Sequence, residues 1–425
     1  MHTGKPFLLI LLFLFQPALA LPPLQLYVEI TPEGGTLKPP PGEYSGPVVI
    51  RKRITIEGGG KVRVNGGNSG SILTIEADGA VIRGLHLHNS GESHDKVDAG
   101  ILVKANDTVV ENNIIEDSLF GIHLSNAHGN RILGNHISSK KNRDISLRGD
   151  GIRLWYSHEN LIQDNIIQDS RDMVFSNARE NRIINNKMTD SRISMELVFS
   201  PDNQIRENTF IDNFSGIVII YSDELDVSGN YILHMRKLTG SCISVKESYN
   251  IFIGNNEIAH CAVGLLATSP LESENILTIS GNLFTFNVIA TYFYGEKGGH
   301  IIRGNRFVDN FTDAMGSTTN TSRLNHWSGN YWDRYKGFDL DNDGAGDQPH
   351  QVYLYADSIW MEYPMARFYR GTPALSLIDF VERLIPSSEP DLMYADPAPL
   401  MKPPAHASNK QVPPPWPGPS VLRRN

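Results

Sequence analysis

Cysteine is almost missing from this chain: its 425 residues hold only Cys242 and Cys261. One bridge at most is possible, and only in an oxidising compartment. The two stand at different offsets from the repeat described below, so they read as two small buried hydrophobes. Blocks of positive charge are missing too. Lys and Arg number 38 against 47 Asp and Glu, a net charge of −9, which argues against nucleic acid as the main partner. No apolar run is long enough to cross a bilayer. The run from Phe7 to Phe15 follows Lys5 and is followed by Pro17 and Ala18-Leu19-Ala20. That order reads as a secretory signal peptide over residues 1–20, cut after Ala20, and no lipoprotein cysteine follows. The mature chain is therefore expected to be exported and soluble. Apolar residues make up 40%, enough for a large core.

What is plentiful is a spaced pattern: an apolar residue, an asparagine three positions on, and a second apolar residue two beyond that. It runs from Val110–Asn113–Ile115 through Ile205–Asn208–Phe210 to Trp327–Asn330–Trp332. The asparagines are 22, 30, 21, 22, 22, 26, 26, 23 and 25 residues apart. A degenerate copy, Ile82–Leu85–Leu87, has leucine in the asparagine place. The apolar runs are short, β-branched and alternate with period two, as in Gly216–Ile220, and glycine and asparagine punctuate them. Short strands and sharp turns at about 22 residues fit a coil of a parallel β-helix. The expected fold is all-β: a right-handed parallel β-helix of about 10–12 coils, with a C-terminal cap, one short helix and an extended tail. Stacked coils put equivalent residues in columns about 4.8 Å apart. Isoleucines fill the interior, and each asparagine tolerates a left-handed corner while its amide bonds to the next. Residues 21–60 are assigned to an N-terminal cap and first coil, 61–332 to the rod, 333–386 to the C-terminal cap and 387–425 to a proline-rich tail.

Counting from the asparagines gives a further strand. Ile122, Val174, Met195 and Ile217, then Leu124, Ser176, Leu197 and Ile219, are expected inside. His123, Phe175, Glu196 and Val218, then Ser125, Asn177, Val198 and Ile220, are expected outside, joined by Arg153 and Trp155. This outer face is more apolar than a solvated one needs, which marks a docking surface or one covered by the tail. Beyond the rod, Asp339, Asp341 and Asp343 take positions 1, 3 and 5 of a calcium-type loop, with Gly344 at 6 and Asp347 at 9. The twelfth-position glutamate of an EF-hand is missing; Val352 stands near it. Thr372 and Pro373 open an amphipathic helix over residues 374–385.

With these residues in view, the chain resembles the NosD family of periplasmic β-helical proteins. The likeness runs over most of residues 40–404 and is sharpest in GDGIRLWYS (149–157), GNYWDRYKGFDLDNDGAGD (329–347), IWMEYPMARF (359–368) and PLMKPP (399–404). The resemblance implies a periplasmic chain held at the membrane by an ABC transporter ATPase and permease. It implies a role in assembling the copper–sulfur cluster of nitrous oxide reductase, with a copper chaperone nearby. Family members typically carry histidine and methionine where this chain has Glu196 and Val198, and often methionine at Ile220. The remaining soft candidates for copper are His123, Met173, His234, Met235 and His260. Trp155, Phe175, Glu196, Val198, Ile220 and Met401 are the candidates for partner contact.

A competing reading is a carbohydrate-active enzyme, a lyase, hydrolase or epimerase, since unrelated sugar enzymes share the β-helix. Asp150, Arg153 and His123 lie on neighbouring coils and offer acid and base groups. The paired aspartates, Gly-His-Gly and Arg-x-Lys of a polygalacturonase are absent. The sequence therefore favours a non-enzymatic factor.

Overall fold

The structure is a computed structural model. It describes residues 20–140, 144–235, 237, 240–268, 276–295, 297–354, 372–374, 377, 380, 381 and 391–404. The leader, the 359–368 motif, most of the 374–385 helix and the end of the tail lie outside the described residues.

Each coil contributes three short strands. In one coil these are Gln204–Arg206, Thr209–Ile211 and Ser215–Ile220. The first two kinds of strand stack into a 24-stranded sheet bent at the asparagine corner, and the third into a separate 12-stranded sheet. We call these the wide and narrow sheets. Neighbouring coils pair in parallel, as Ile183 with Ile205 and Ile205 with Val227. The molecule is thus a right-handed parallel β-helix of about twelve turns with few helices. Alternation along each strand sends one side chain in and the next out. Ile132, Ile162, Ile183, Ile205, Val227, Ile253, Ile279 and Ile302 form a fully buried column. Burying each contributes roughly 1.5–3 kcal/mol.

The asparagine ladder forms as expected, with one change. The backbone N–H and the side-chain Nδ2 of Asn208 both donate to Asn230 Oδ1, at 2.9 and 3.0 Å, and Nδ2 also donates to the Ile183 carbonyl at 2.9 Å. The left-handed backbone falls on the preceding residue instead: Asn112, Gly134, Asp164, Asn185, Glu207, Gly229 and Asn255 all have positive φ. The ladder asparagine needs its amide directed along the rod, so its neighbour takes the strained torsion. A second ladder, Asn130–Asn160–Asn181–Asn203, occupies another corner.

The ends are closed differently. Helix Leu24–Ile30 buries Leu24 and Val28 and packs near the first narrow strand, Val48–Ile50. At the other end, Asp391–Asp396 pairs antiparallel with His350–Leu354. Asp396 Oδ2 accepts from Asn330 N and Nδ2, both at 2.9 Å, and from Trp332 Nε1 at 3.2 Å, while Oδ1 accepts from Gly329 N at 3.0 Å. A carboxylate from 66 residues away thus stands where the next asparagine would be. Phe284, Phe307, Trp332 and Tyr394 stack in sequence at 5.2, 4.3 and 5.3 Å to finish the core.

Two expectations are corrected. Cys242 and Cys261 form a disulfide, with Cα atoms 5.9 Å apart. Offsets from the ladder asparagine did not reveal it, because the bridge joins a strand of one coil to a corner of the next. The strand Asp172–Ser176 is also out of step by one residue. Met173 and Phe175 point inward and are fully buried, while Val174 and Ser176 face out. The opposing strand Ile193–Val198 carries an extra residue between the pairs Asp172–Ile193 and Val174–Glu196. Counting from the asparagine misses this bulge, which inverts the faces of one rung.

Candidate functional site

The outer face of the narrow sheet presents two columns. One runs His123, Arg153, Val174, Glu196, Val218 and Ser244. The other runs Ser125, Trp155, Ser176, Val198, Ile220 and Lys246. Trp155, Glu196, Val198 and Ile220 therefore share one face. Phe175 leaves that set for the core, and Met401 stands at the rod's far end, where its N–H donates to the Gly344 carbonyl at 3.1 Å. Close approach fixes the entry to this face: a Cβ on Gly121 would sit 2.3 Å from the Gly151 carbonyl oxygen.

Where the chain enters this sheet, charges gather. Asp150 is 1% exposed and its Oδ1 accepts from Arg171 at 2.8 and 3.0 Å. Arg153 lies 3.9 Å away from Asp150 Oδ2, with its guanidinium over the rings of Phe120 and Trp155. Asp172, equally buried, pairs with Arg171 at 3.3 Å and with Arg192, and accepts the Ile193 N–H at 3.0 Å. Burial pushes Asp150 up to about 6, against the opposing pull of Arg171. Burial also raises Glu196, helped by Asp172. His123 is 5% exposed and burial lowers it to about 4, reinforced by Arg153 and Lys104, so its imidazole is neutral near pH 7. His123 Nδ1, Asp150 Oδ2 and Arg153 Nε are buried without hydrogen-bond partners.

Sequence reasoning found Asp150, Arg153 and His123 but missed Arg171, Asp172 and Arg192. A signal for the arginines was present: Asp-Ser-Arg occurs at 169–171 and again at 190–192. Asp150 and His123 are both too enclosed to meet a polymer, and the Asp150 carboxylate is committed to arginine. The cluster's evident work is to hold three coils together at the sheet's entry.

The acidic loop is partly as expected. Oxygens of Asp339, Asp341 and Asp343 lie within 4.8 Å of one another. Asp339 Oδ2 accepts from Gly344 N at 3.0 Å and Asp343 Oδ1 from Ala345 N at 2.8 Å. Asp347 does not join them. It accepts the Leu340 N–H at 2.6 Å and closes the loop instead of presenting a fourth ligand. A triad of this kind suits a hard cation.

The family described as "Periplasmic copper-binding protein (NosD)" matches residues 138–337, and the family described as "Right handed beta helix region" matches 54–172. A Pseudomonas aeruginosa protein named "Probable ABC transporter binding protein NosD" is 26% identical over 377 residues, covering 81% of this chain and 83% of its own. The chain is thus similar to proteins of the NosD family over most of its length. A second NosD, from Stutzerimonas stutzeri and bearing the same name, is 25% identical over 442 residues and covers 95% of this chain and 96% of its own. The chain also shares its fold with the catalytic domain of a GH87 α-1,3-glucanase, at TM-score 0.54 and 14% identity. That likeness covers 70% of this chain and spans about 65% of the glucanase domain, and it concerns the fold alone.

Copper in its monovalent form takes sulfur and imidazole donors. Of the copper candidates, His123 stands apart on the outer face and Met173 is a core residue beside Ile152. Only His234 and His260 come together. His234 and His260 stack with centroids 4.4 Å apart, and Met235 is buried beside them in sequence. Among the described residues, the acidic triad is the one group of three or more His, Cys, Asp or Glu side chains close enough to share an ion. The outer face itself, with Glu196, Val198 and Ile220, does not fit a copper site.

Proposed function

We propose that this NosD-like chain is a periplasmic accessory factor. It acts beside an ABC transporter and supports assembly of the copper–sulfur cluster of nitrous oxide reductase. The observation that carries the reading is the extent of the likeness: 95% of this chain aligns with 96% of a relative named as an ABC transporter binding protein. A shared β-helix alone would align the rod and leave the C-terminal cap unmatched. In this reading the chain is exported by a cleaved leader, and the Trp155, Val198 and Ile220 column with Glu196 meets a protein partner. The apo-reductase, the transporter and a copper chaperone are the partners in view. Met401, at the rod's end, contacts a different part of the assembly. Asp339, Asp341 and Asp343 take a calcium-type ion that stiffens the cap.

The test is co-purification of the tagged chain with the transporter ATPase and permease, together with metal analysis of reductase from a deletion strain. The expected result is a stable complex, and reductase that is exported but lacks its catalytic cluster. Full cluster content in the deletion strain would overturn the reading.

A further inference from the structure

Where each coil leaves the narrow sheet it turns again, and one residue there takes the left-handed backbone. On successive coils that residue is Asn126, Tyr156, Asn177, Phe199 and Tyr221. Asparagine tolerates such a torsion, whereas a bulky aromatic is strained by it. Yet Tyr156, Phe199 and Tyr221 are 45%, 53% and 49% exposed, so burial offsets little of that strain. Phe199 and Tyr221 stack at 5.2 Å with their planes 5° apart, and Trp155 meets Tyr156 edge to face at 5.3 Å. With Val198 and Ile220 beside them, these rings make an exposed aromatic stripe along the rod. Three residues further round the coil a second left-handed column is acidic and exposed: Glu159, Glu180, Asp202 and Glu224. An occupant of the stripe therefore needs flat apolar faces and positive charge.

The chain carries such a segment of its own, outside the described residues. Residues 405–425 hold Lys410, Arg423 and Arg424 with no Asp or Glu, and include the run Pro413-Pro414-Pro415-Trp416-Pro417-Gly418-Pro419. We propose that this run docks on the chain's own aromatic stripe as a polyproline II helix, its rings against Tyr156, Phe199 and Tyr221, with Arg423 and Arg424 toward the acidic column. Aromatic-lined surfaces recognise polyproline II because it has little conformational freedom left to lose. It makes no internal hydrogen bonds, so its carbonyls are open to the tyrosine hydroxyls. The lengths agree. Leu400 sits on the rod's last rung, against Tyr331. Six pairings lead back from it through Tyr331, Arg306, Leu283, Glu257 and Tyr231 to Thr209, on the coil that ends in Tyr221. At about 4.8 Å a rung, that is about 29 Å along the rod. Residues 405–416 extend about 37 Å at 3.1 Å each, which covers that distance together with about 20 Å across the rod. Tyr156 is three rungs beyond Tyr221, about 14 Å, and residues 413–419 extend about 20 Å. The docked run would shield the face assigned above to a protein partner. That consequence rests on the proposed function; the docking itself does not.

The experiment uses the purified full chain with the photoreactive substitution Ser420→p-benzoylphenylalanine, irradiated in dilute solution, with the cross-links mapped by mass spectrometry. We expect a monomer cross-linked within itself, to the peptides that carry Tyr156, Phe199 or Tyr221. Phe199→Asn with Tyr221→Asn gives both corners the residue that Asn126 and Asn177 already place there. This variant should keep native far-ultraviolet dichroism and cut the cross-link yield about tenfold. Arg423→Glu with Arg424→Glu should cut it about threefold. Cross-links that land on other surfaces of the rod, or that join two chains, overturn the proposal, as does a yield that the double asparagine variant leaves unchanged. The expected cross-link, found together with a failed transporter co-purification, supports the docking and counts against the proposed function alone.

Discussion

Two corners of the same coil are built from the same kind of residue and have different fates. At the first, asparagine recurs from Asn113 to Asn330 with its amide bonds running along the rod. At the second, five residues later, the column changes from serine to asparagine to methionine to cysteine and back. The first corner joins two strands of the wide sheet, so any loss there breaks pairing on both sides. The second leads into the narrow sheet across a turn whose length varies, and it tolerates substitution. A corner free to vary is where chemistry can accumulate, and the charged cluster, the disulfide and the stacked histidines all lie at or beside it.

The sharpest way to break the contrast is at the ladder's end. Asp396→Ala removes the acceptor for Gly329 N, Asn330 N, Asn330 Nδ2 and Trp332 Nε1 in a fully buried setting. Stability should fall by on the order of 4 kcal/mol in denaturant unfolding, given a penalty of about 1–3 kcal/mol per orphaned buried group with partial relaxation. Asp396→Asn keeps one acceptor oxygen and should lose less. A loss under 1 kcal/mol for Asp396→Ala would mean that the first corner does not need its terminal cap.

Next comes the same substitution at both corners. Asn208→Ala deprives Asn186 N of its acceptor and Nδ2 of one of its acceptors, and about 3 kcal/mol is expected. Asn213→Ala deprives Ser191 N alone of a ladder acceptor, and about half that is expected. Equal losses would erase the distinction between the corners.

Smaller again is the effect of pH on the charged cluster. Folded Asp150 keeps its proton up to about pH 6, whereas an unfolded aspartate releases it near 4. Between those values the folded chain holds the extra proton, so this contribution is present at pH 4 and lost as pH rises through 6. His123 acts in the opposite sense: with its folded value near 4, its contribution is present above about 6.5 and lost as pH falls toward 4. The two partly cancel in the native chain. Asp150→Asn should leave the histidine term exposed, so that stability measured at pH 4.5 drops relative to pH 7 by about 2 kcal/mol more than in wild type. An unchanged difference would show that burial does not govern Asp150.

The ladder was legible in the sequence because it repeats: Ile205, Asn208 and Phe210 each have counterparts on the coils above and below. The family was legible for a different reason, through ordered motifs beyond the periodic part. What escaped was aperiodic. One residue's difference between Asp172 and Val174 turned Phe175 inward, and no count from Asn165 reveals a bulge that lies in the next coil. The Cys242–Cys261 bridge escaped because it links a strand of one coil to a corner of the next. Asp172 escaped because it stands in register with Gly121 and Gly151 of earlier coils, and a buried carboxylate there makes sense only once Arg171 and Arg192 are seen around it.

The smallest effect is expected where the cap meets the rod. The acidic loop is fastened independently of any ion: Gly346 N donates to the Pro399 carbonyl at 2.8 Å, Met401 N to Gly344 at 3.1 Å, and Leu400 N to Asn330 at 2.9 Å. An ion held by Asp339, Asp341 and Asp343, with Asp347 turned to Leu340 and no twelfth-position carboxylate, has fewer protein oxygens than a strong site supplies. Its affinity belongs in the range of about 10⁻⁴–10⁻³ M. Calcium at 5 mM should therefore raise the melting temperature by only a few degrees, since stabilisation grows with the logarithm of ligand over its dissociation constant. Asp341→Asn with Asp343→Asn should abolish that rise and leave the ion-free melting temperature unchanged. A rise that survives the double substitution would place the calcium elsewhere, and a fall of many degrees in chelator would mean that the cap, unlike the ladder, is held by its ion.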